Sequence, residues 1–514
     1  MVKTRAREVW RSIVAAVFRD RETGWTFTGV VAALYLVLLI WMQVHHEPWR
    51  DEVHSWALAQ IADGFWDLVT GDRRYEGHPP LWFWYLRVWS RLFPEVWGLQ
   101  MATVAAAVGA AVLLLRYAPF PRFLKVMLLT TYDFGYEFSV TCRNYVLGWL
   151  MLCAFCTLYH PLRQRPLTLA VVLSLLSLSS VYGLIFAVAL AIFLALDAVR
   201  LRRDTTPAQV VVVALPRQLL AAVVAAAGFA FCAWSLEPMD PNPFSPGWYF
   251  AGLEQNALGE TLNRVIDGLT ALRPFAADYW FHPRAYWERI PEVIPYVAGG
   301  LLLASAAALY RSWRVLAFYL ASIVMIALVQ QARYAGSPRH WANYFVVLVP
   351  AFWLLRTLVP RARHLPSLIL LVVLCAFQAE GFVAATVMET RVLFSGGRDA
   401  AAFIRRAGLQ DLPLVAGPGQ ALTVAVYLRR PFYNMETEEV EQTVSFNARR
   451  KGFSATEFLA KAIEVSRDKK SPVVVVINQP LPPPPAGVKT SLLFTPKRGT
   501  ITDEEFRVYS LDAH

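Results

Sequence analysis

Apolar residues along this chain gather in runs of about 18–25 positions, parted by short polar turns. A helix needs about 20 such residues to cross a hydrocarbon layer roughly 30 Å thick. The runs therefore predict eleven membrane spans, near 26–44, 96–115, 124–139, 144–160, 167–199 (two spans turning at Ser179–Gly183), 216–235, 292–310, 315–331, 341–358 and 366–388. Two longer segments interrupt them, at 45–95 and 236–291. Within the first, Pro79–Phe93 is apolar but only about 15 residues long and holds Arg87 and Arg91, which are expensive at a bilayer centre. It predicts a helix lying along the membrane surface, with its Trp and Tyr rings at headgroup depth. From about 391 the period changes. Arg398–Ala407 and Ala455–Ser466 have helical amphipathy; Leu412–Ala416, Pro472–Asn478, Ser491–Phe494 and Phe506–Ser510 have the compact β-branched character of strands. Leu481–Ala486 is a stiff polyproline connection. Gly396–Gly397 lacks the rest of a dinucleotide fingerprint. The expected architecture is an α-helical polytopic membrane domain, residues 1–390, followed by a small α/β domain, residues 391–514.

Charge orients this layout. A net charge of +11 in a soluble protein would point to nucleic acid, but with 56% hydrophobic and 17% charged residues the excess has another origin. Lys3, Arg5, Arg7, Arg11, Arg19 and Arg21 precede the first span. Arg116, Arg122 and Lys125, then Arg163 and Arg165, Arg200, Arg202 and Arg203, Arg311 and Arg314, and Arg361 and Arg363 fall at alternate turns. By the positive-inside rule these turns are cytoplasmic, so both long loops and the tail lie outside. Counting Pro79–Phe93 as a span would invert every later loop. Val9, Trp10, Ile13, Val14, Val17 and Phe18 share a helical face that suits the cytoplasmic membrane surface. The first apolar run has no small-residue cleavage pattern behind it and is expected to remain as an anchor. Four of the five cysteines fall well inside apolar runs, and the Cys153–Cys156 pair lacks a redox context.

Candidate chemistry clusters at the outer ends of the spans. The first loop opens with Glu47-Pro48-Trp49-Arg50-Asp51-Glu52 and ends with Tyr75-Glu76-Gly77-His78-Pro79-Pro80-Leu81-Trp82. Asp51 and Glu52 also fit a structural role, charging the first turn of a helix at about 51–63. His78 equally suits a turn before two prolines, and His45 and His46 are expected to be interfacial bystanders. Arg143 opens the fourth span, beside Glu137 and Tyr145, and Arg339-His340 open the tenth. Cations there either meet headgroups or hold an anionic ligand. The second loop is rich in aromatics, among them Trp248, Tyr249, Phe250, Tyr279, Trp280, Phe281, Tyr286 and Trp287, which suit an interfacial belt or a cover over a ligand.

An Asp-Glu pair just beyond the first span, followed by His-Pro-Pro-Leu and an aromatic residue, resembles the GT-C glycosyltransferases. The pattern is nearest to protein O-mannosyltransferases and the lipid A aminoarabinose transferase. The resemblance covers about residues 25–200 well and the later spans loosely. It implies a GT-C-like membrane domain with juxtamembrane helices in loop 45–95, an extracytoplasmic tail, and a bacterial cytoplasmic-membrane location. It implies a carboxylate in the first loop as catalytic base, so Asp51, with Glu52 beside it, takes that part. Arg143, Arg339, His340 and His78 become the groups that meet a donor phosphate. Tyr75, Glu76, Glu137 and Tyr145 become substrate contacts; Gly77-His78 separates Glu76 from the Pro-Pro element, unlike the family pattern. The implied donor is a sugar on a polyprenyl phosphate, and the acceptor a hydroxyl on a glycolipid, polysaccharide or protein. Some relatives carry an aspartate between spans three and four, where this chain has Arg143-Asn144, with Asp133 and Glu137 upstream. A divalent cation therefore has no clear set of ligands here, and no cofactor is assigned. Two other readings use the same layout. A transporter or flippase of lipid-linked sugars would tend to show repeated halves and ionisable residues at mid-membrane. A non-catalytic assembly protein would leave the Asp51–Glu52 cluster without a purpose.

Overall fold

A backbone removed from water must satisfy its own N–H and C=O groups, and the apolar runs do so as helices. The computed structural model describes residues 23–160, 165–204, 215–237, 257–360, 364–417, 419–444 and 451–514. The expected amphipathic face at Val9–Phe18, the aromatics Trp248, Tyr249 and Phe250, and the turn residues Arg163, Arg361 and Arg363 lie outside them. The principal helices are α1 (Trp25–His45), α2 (Arg50–Ile61), α3 (Leu81–Leu92), α4 (Val96–Tyr117), α5 (Arg122–Leu129), α6 (Tyr145–Leu158), α7 (Pro166–Ser177), α8 (Val181–Asp204), α9 (Leu215–Leu236), α10 (Ala257–Thr270), α11 (Ile294–Leu309), α12 (Trp313–Ala332), α13 (Leu348–Leu358) and α14 (Leu365–Glu389).

Eight segments among the described residues are long and apolar enough to cross a membrane: α1, α4, α8, α9, α11, α12, α14 and Pro338–Leu358. The chain is thus mostly helical, with the character of a polytopic membrane protein. Three expected spans are shorter. The run at 124–139 yields α5, of 8 residues, and the runs that follow yield α6, of 14, and α7, of 12. A 14-residue helix rises only about 21 Å. For α5 and α6 the cause is a break: after Leu129 the chain turns into a π-helical stretch, Tyr132–Glu137, and stays irregular until Tyr145. Every residue from Thr131 to Trp149 is buried, so the irregular backbone is shielded by protein. Pro338–Leu358 stays helical in its dihedrals through Ala342 and Val347, which join Pro338–Trp341, Asn343–Val346 and α13. Arg143 lies in the irregular stretch, and Arg339 in the first turn of Pro338–Leu358.

Neighbouring helices fix which end is which. At one end Thr23 Oγ1 donates to the Leu115 carbonyl (2.8 Å) and Lys125 Nζ donates to Thr23 Oγ1 (3.0 Å). At the other, Gln100 Nε2 donates to the carbonyls of Gln43 (2.7 Å) and His46 (3.3 Å). The helices α2 and α3 lie at this second end. Arg87 of α3 is buried and donates to the carbonyls of Ala59, Gln60 and Asp63 rather than reaching headgroups.

The tail contributes α15 (Gly397–Arg406), α16 (Leu422–Leu428), α17 (Ala455–Lys469) and six strands: β1 (Leu414–Gly417), β2 (Phe432–Asn434), β3 (Glu439–Glu441), β4 (Val473–Ile477), β5 (Lys489–Phe494) and β6 (Arg507–Asp512). The sheet order is β3-β2-β1-β4-β6-β5, with β1 parallel to β2 and β4 and the other pairs antiparallel. Val473–Ile477 is buried throughout, as a central strand covered on both faces must be. Val474 and Val476 join the core that continues into the helical bundle, while Val473, Val475 and Ile477 pack with Phe458, Leu459 and Ala462 of α17. The tail is therefore seated on the bundle, directly over α2.

Candidate active site

The site is built on the first turn of α2. Trp49 is extended, and its backbone N–H donates to Glu52 Oε2 at 2.8 Å, the reciprocal half of a capping arrangement. The acidic first turn meets the positive end of the helix dipole. Val53 and Trp56 are completely buried, and each contributes about 1.5–3 kcal/mol through the apolar surface it removes from water. That packing holds the next residue round the turn, Asp51, at the mouth of the bundle.

Asp51 is ringed by guanidinium groups. Its Oδ2 accepts from Arg339 Nη2 at 3.0 Å and its Oδ1 from Arg50 Nε at 3.2 Å. Arg143 Nη1 donates to the Asp51 carbonyl, and Arg143 Nη2 lies 2.8 Å from His78 Nε2. Arg339 stacks over the rings of Trp49 (5.7 Å) and Trp280 (5.6 Å). Both Arg143 Nε and Arg339 Nε are buried and without a hydrogen-bond partner. His78 reaches the site because Gly77, at φ 65°, takes the left-handed turn that ends the 3₁₀ stretch Asp72–Glu76. Arg73, itself buried, donates to the His78 carbonyl and fixes that turn.

Charge follows from this geometry. Burial alone would raise the Asp51 carboxyl, but Arg50, Arg143 and Arg339 outweigh it and hold the group well below the usual carboxylate range. His78 is pushed down to about 3 by burial and then by Arg143, so it stays neutral and accepts the Arg143 N–H on Nε2. Burial raises the Glu76 carboxyl, but His54, 2.8 Å away, and more distantly His78 and Arg143 leave it below its ordinary value.

The other candidates divide. Glu137 Oε2 accepts from Tyr132 Oη (2.8 Å) and Trp280 Nε1 (3.1 Å), so it supports the aromatic wall beneath Arg339; its Oε1 is buried without a partner. Tyr145 stacks on Phe138 and meets the His340 ring edge-on at 5.8 Å. His340 Nδ1 accepts the Ser337 N–H at 2.9 Å, which leaves the proton on Nε2, and its ring sits among Tyr145, Tyr182 and Tyr334. Tyr75 lies in the same 3₁₀ stretch as Glu76.

The structure sharpens three of these readings. Glu52, offered above as a second catalytic carboxylate, is fully buried and makes framework contacts: it accepts the N–H groups of Trp49 and Cys142 and pairs with His46 Nε2 at 3.1 Å. His46 is no bystander. It is completely buried between Glu52 and Glu389, whose Oε1 lies 2.9 Å from Nδ1; burial opposes its charge, but the two carboxylates raise its pKa well above the ordinary value. The aromatic loop is in part a wall of the site, since Tyr279 and Trp280 are buried, with Tyr279 Oη donating to Glu389 Oε1 at 3.1 Å. Arg50, His46, His54, Glu389 and the tail residue Glu504 are the site neighbours to which the sequence pattern gave no functional part.

The arrangement offers an ionised carboxylate beside cationic donors with N–H groups still available. Such a site can bind a phosphate ester and accept a proton next to it. It does not suit a divalent cation. Both Asp51 oxygens are held by arginines, Arg143 donates to its carbonyl, and among the described residues no group of three or more acidic, His or Cys side chains is arranged to hold a metal ion. No family model, curated protein or solved structure matches this chain.

Proposed function

We propose that the protein is an inverting glycosyltransferase of GT-C type, which moves a sugar from a polyprenyl-phosphate carrier to a hydroxyl acceptor at the outer face of a bacterial cytoplasmic membrane. The observation that carries this reading is the convergence of Asp51 with Arg143 and Arg339, each arginine keeping a buried, unpartnered Nε. In the proposed reaction the acceptor oxygen attacks the anomeric carbon and its proton passes to Asp51. The bond from that carbon to the phosphate oxygen breaks, and the electron pair leaves with the lipid phosphate. Negative charge grows on the phosphate as the bond breaks, where the Arg143 and Arg339 N–H groups stabilise it. A carboxylate held this ionised is a weak base at rest. It suffices because the attacking hydroxyl becomes strongly acidic only as the new bond forms.

Location supports the same reading. The site lies at the bundle end opposite Lys125 and Arg116, the residues that the positive-inside rule puts in the cytoplasm. The segments that bear Arg143 and Arg339 are continuous with apolar helices, so a lipid-borne phosphate meets the cations at the edge of the bilayer. The tail, on this topology, is extracytoplasmic.

Reconstitution separates transfer from transport. Proteoliposomes are supplied with a panel of radiolabelled polyprenyl-phosphate hexoses and pentoses together with glycolipid, polysaccharide and protein acceptors. The expected result is an acid-labile donor converted to a stable glycoside of opposite anomeric configuration. Labelled lipid that crosses the bilayer with no glycosidic product would favour a flippase and remove the enzyme reading.

A further inference from the structure

The first N–H groups of any helix need acceptors from outside it. In α2 one of these comes from very far along the chain. Glu504 Oε1 accepts the Arg50 N–H at 2.8 Å, from a residue 454 positions away. Glu504 is fully buried. Its Oε2 is held by Ser395 Oγ (2.5 Å) and Thr423 Oγ1 (3.4 Å). The short turn that carries it, Thr502–Glu504, is tied to the chain leaving α14: Thr500 N–H donates to the Leu393 carbonyl (2.8 Å) and Ile501 N–H to the Phe394 carbonyl (3.0 Å). Gly396 permits this approach, since a Cβ there would lie 2.4 Å from the Glu504 carbonyl. The neighbouring Asp503 pairs with the Arg50 guanidinium at 3.5 Å, and Arg50 Nε in turn donates to Asp51. One turn of the tail thus grips both the backbone and the side chain of the residue next to Asp51.

We infer that Glu504 is a positioning residue, through which the carboxy-terminal domain fixes the first turn of α2 and so the aim of the Asp51 carboxylate. The inference rests on the transfer reaction proposed above. It gives the tail a part in catalysis without any contact with substrate. Ser395 and Thr423 orient Glu504, and Asp503 steadies Arg50.

The full-length protein tests this with Glu504→Ala and Glu504→Gln. Gln keeps an oxygen for the Arg50 N–H and turns its amide N–H groups towards Ser395 and Thr423. Because misplacement of a reacting group by about 1 Å costs on the order of 100-fold, E504A is expected to lower kcat about 30-fold with donor KM within about threefold. E504Q is expected to stay within about threefold of wild type in both constants. Hydrogen exchange across Arg50–Val53 reads the same contact without catalysis: faster in E504A, unchanged in E504Q, with β4 unchanged in both. Wild-type kcat in E504A, wild-type exchange in E504A, or an E504Q no better than E504A overturns the proposal. If wild-type protein transfers no sugar, the transfer reading fails, and the exchange experiment alone decides whether Glu504 holds α2. Should E504A not fold, Ser395→Ala takes its place, with kcat expected to fall about threefold through the lost hydrogen bond and unchanged kcat overturning the idea.

Discussion

Replacing Arg339 with alanine strips the Asp51 carboxylate of its closest cation and removes a donor proposed for the phosphate. The pair sits at 3.0 Å, with side-chain exposures of 10% for Arg339 and 20% for Asp51, so it is shielded but not dry. At a charge separation of about 4 Å and an effective dielectric constant of about 20, its Coulomb energy is roughly 4 kcal/mol. Water entering the vacated space and Arg50, still 3.2 Å from Oδ1, recover part of that, so a net loss of about 1–3 kcal/mol of stability is expected. The stacking of Arg339 over Trp49 and Trp280 disappears as well, about 0.5–2 kcal/mol that is not additive with the ion pair. Removal of a preorganised donor from a developing anion typically slows the step about 10²–10³-fold, and that is the expected fall in kcat. The assay is single-turnover transfer plus thermal unfolding in detergent, run on R339A, D51N and the double variant. In the cycle the two sites should couple by about 1–3 kcal/mol, since they touch. Turnover of R339A within about threefold of wild type, or a coupling below about 0.5 kcal/mol, refutes the reasoning.

Two pH experiments probe the surrounding charges. His78 titrates at about 3 against an ordinary 6.5, so the unfolded chain takes up a proton that the folded protein refuses; stability is fully present above 6.5 and declines as pH falls towards 3. His78→Gln, which still offers Arg143 an acceptor, should flatten that part of the Tm–pH curve, and superimposable curves would contradict the assignment. Burial raises the Glu504 carboxyl to about 8 from 4.5, against the lowering effects of Ser395 and Arg50. Its contribution is therefore complete below 4.5 and lost as pH rises through 8, and E504Q should lack that decline on the alkaline side.

Much of the framework was legible because hydropathy is a long-range, averaged signal. α1, α4, α9, α12 and α14 fall within a few residues of their expected bounds, and the apolar segment at Pro79–Phe93 folds as a helix, α3. Four of the six tail strands fall at the expected positions, Val473–Ile477 most clearly, while the short β2 and β3 were not anticipated. The break after Leu129 is only weakly marked: the run at 124–139 opens apolar, and Asp133, Gly135 and Glu137 then lower its hydropathy across the stretch that folds as a π-helix. Of the candidate site, Asp51, Arg143, Arg339 and His78 stood out as polar residues beside apolar runs. His46, Glu389 and Glu504 did not, because their meaning is tertiary: a histidine is an interfacial bystander or the bridge between two carboxylates depending on what lies 343 residues away. Glu52 is a further case, since a first-turn acid looks the same in sequence whether it caps a helix or reacts.

The central claim is that Asp51 takes the acceptor's proton in a pocket where Arg143 and Arg339 hold the departing phosphate. Its most direct test is the single-turnover rate of Asp51→Asn, with donor bound at saturation and the fold verified by unfolding. Loss of a positioned general base costs about 10²–10⁴-fold, and a fall of that size with donor affinity kept within about tenfold is the predicted result. An Asn variant that transfers sugar at the wild-type rate would contradict the account.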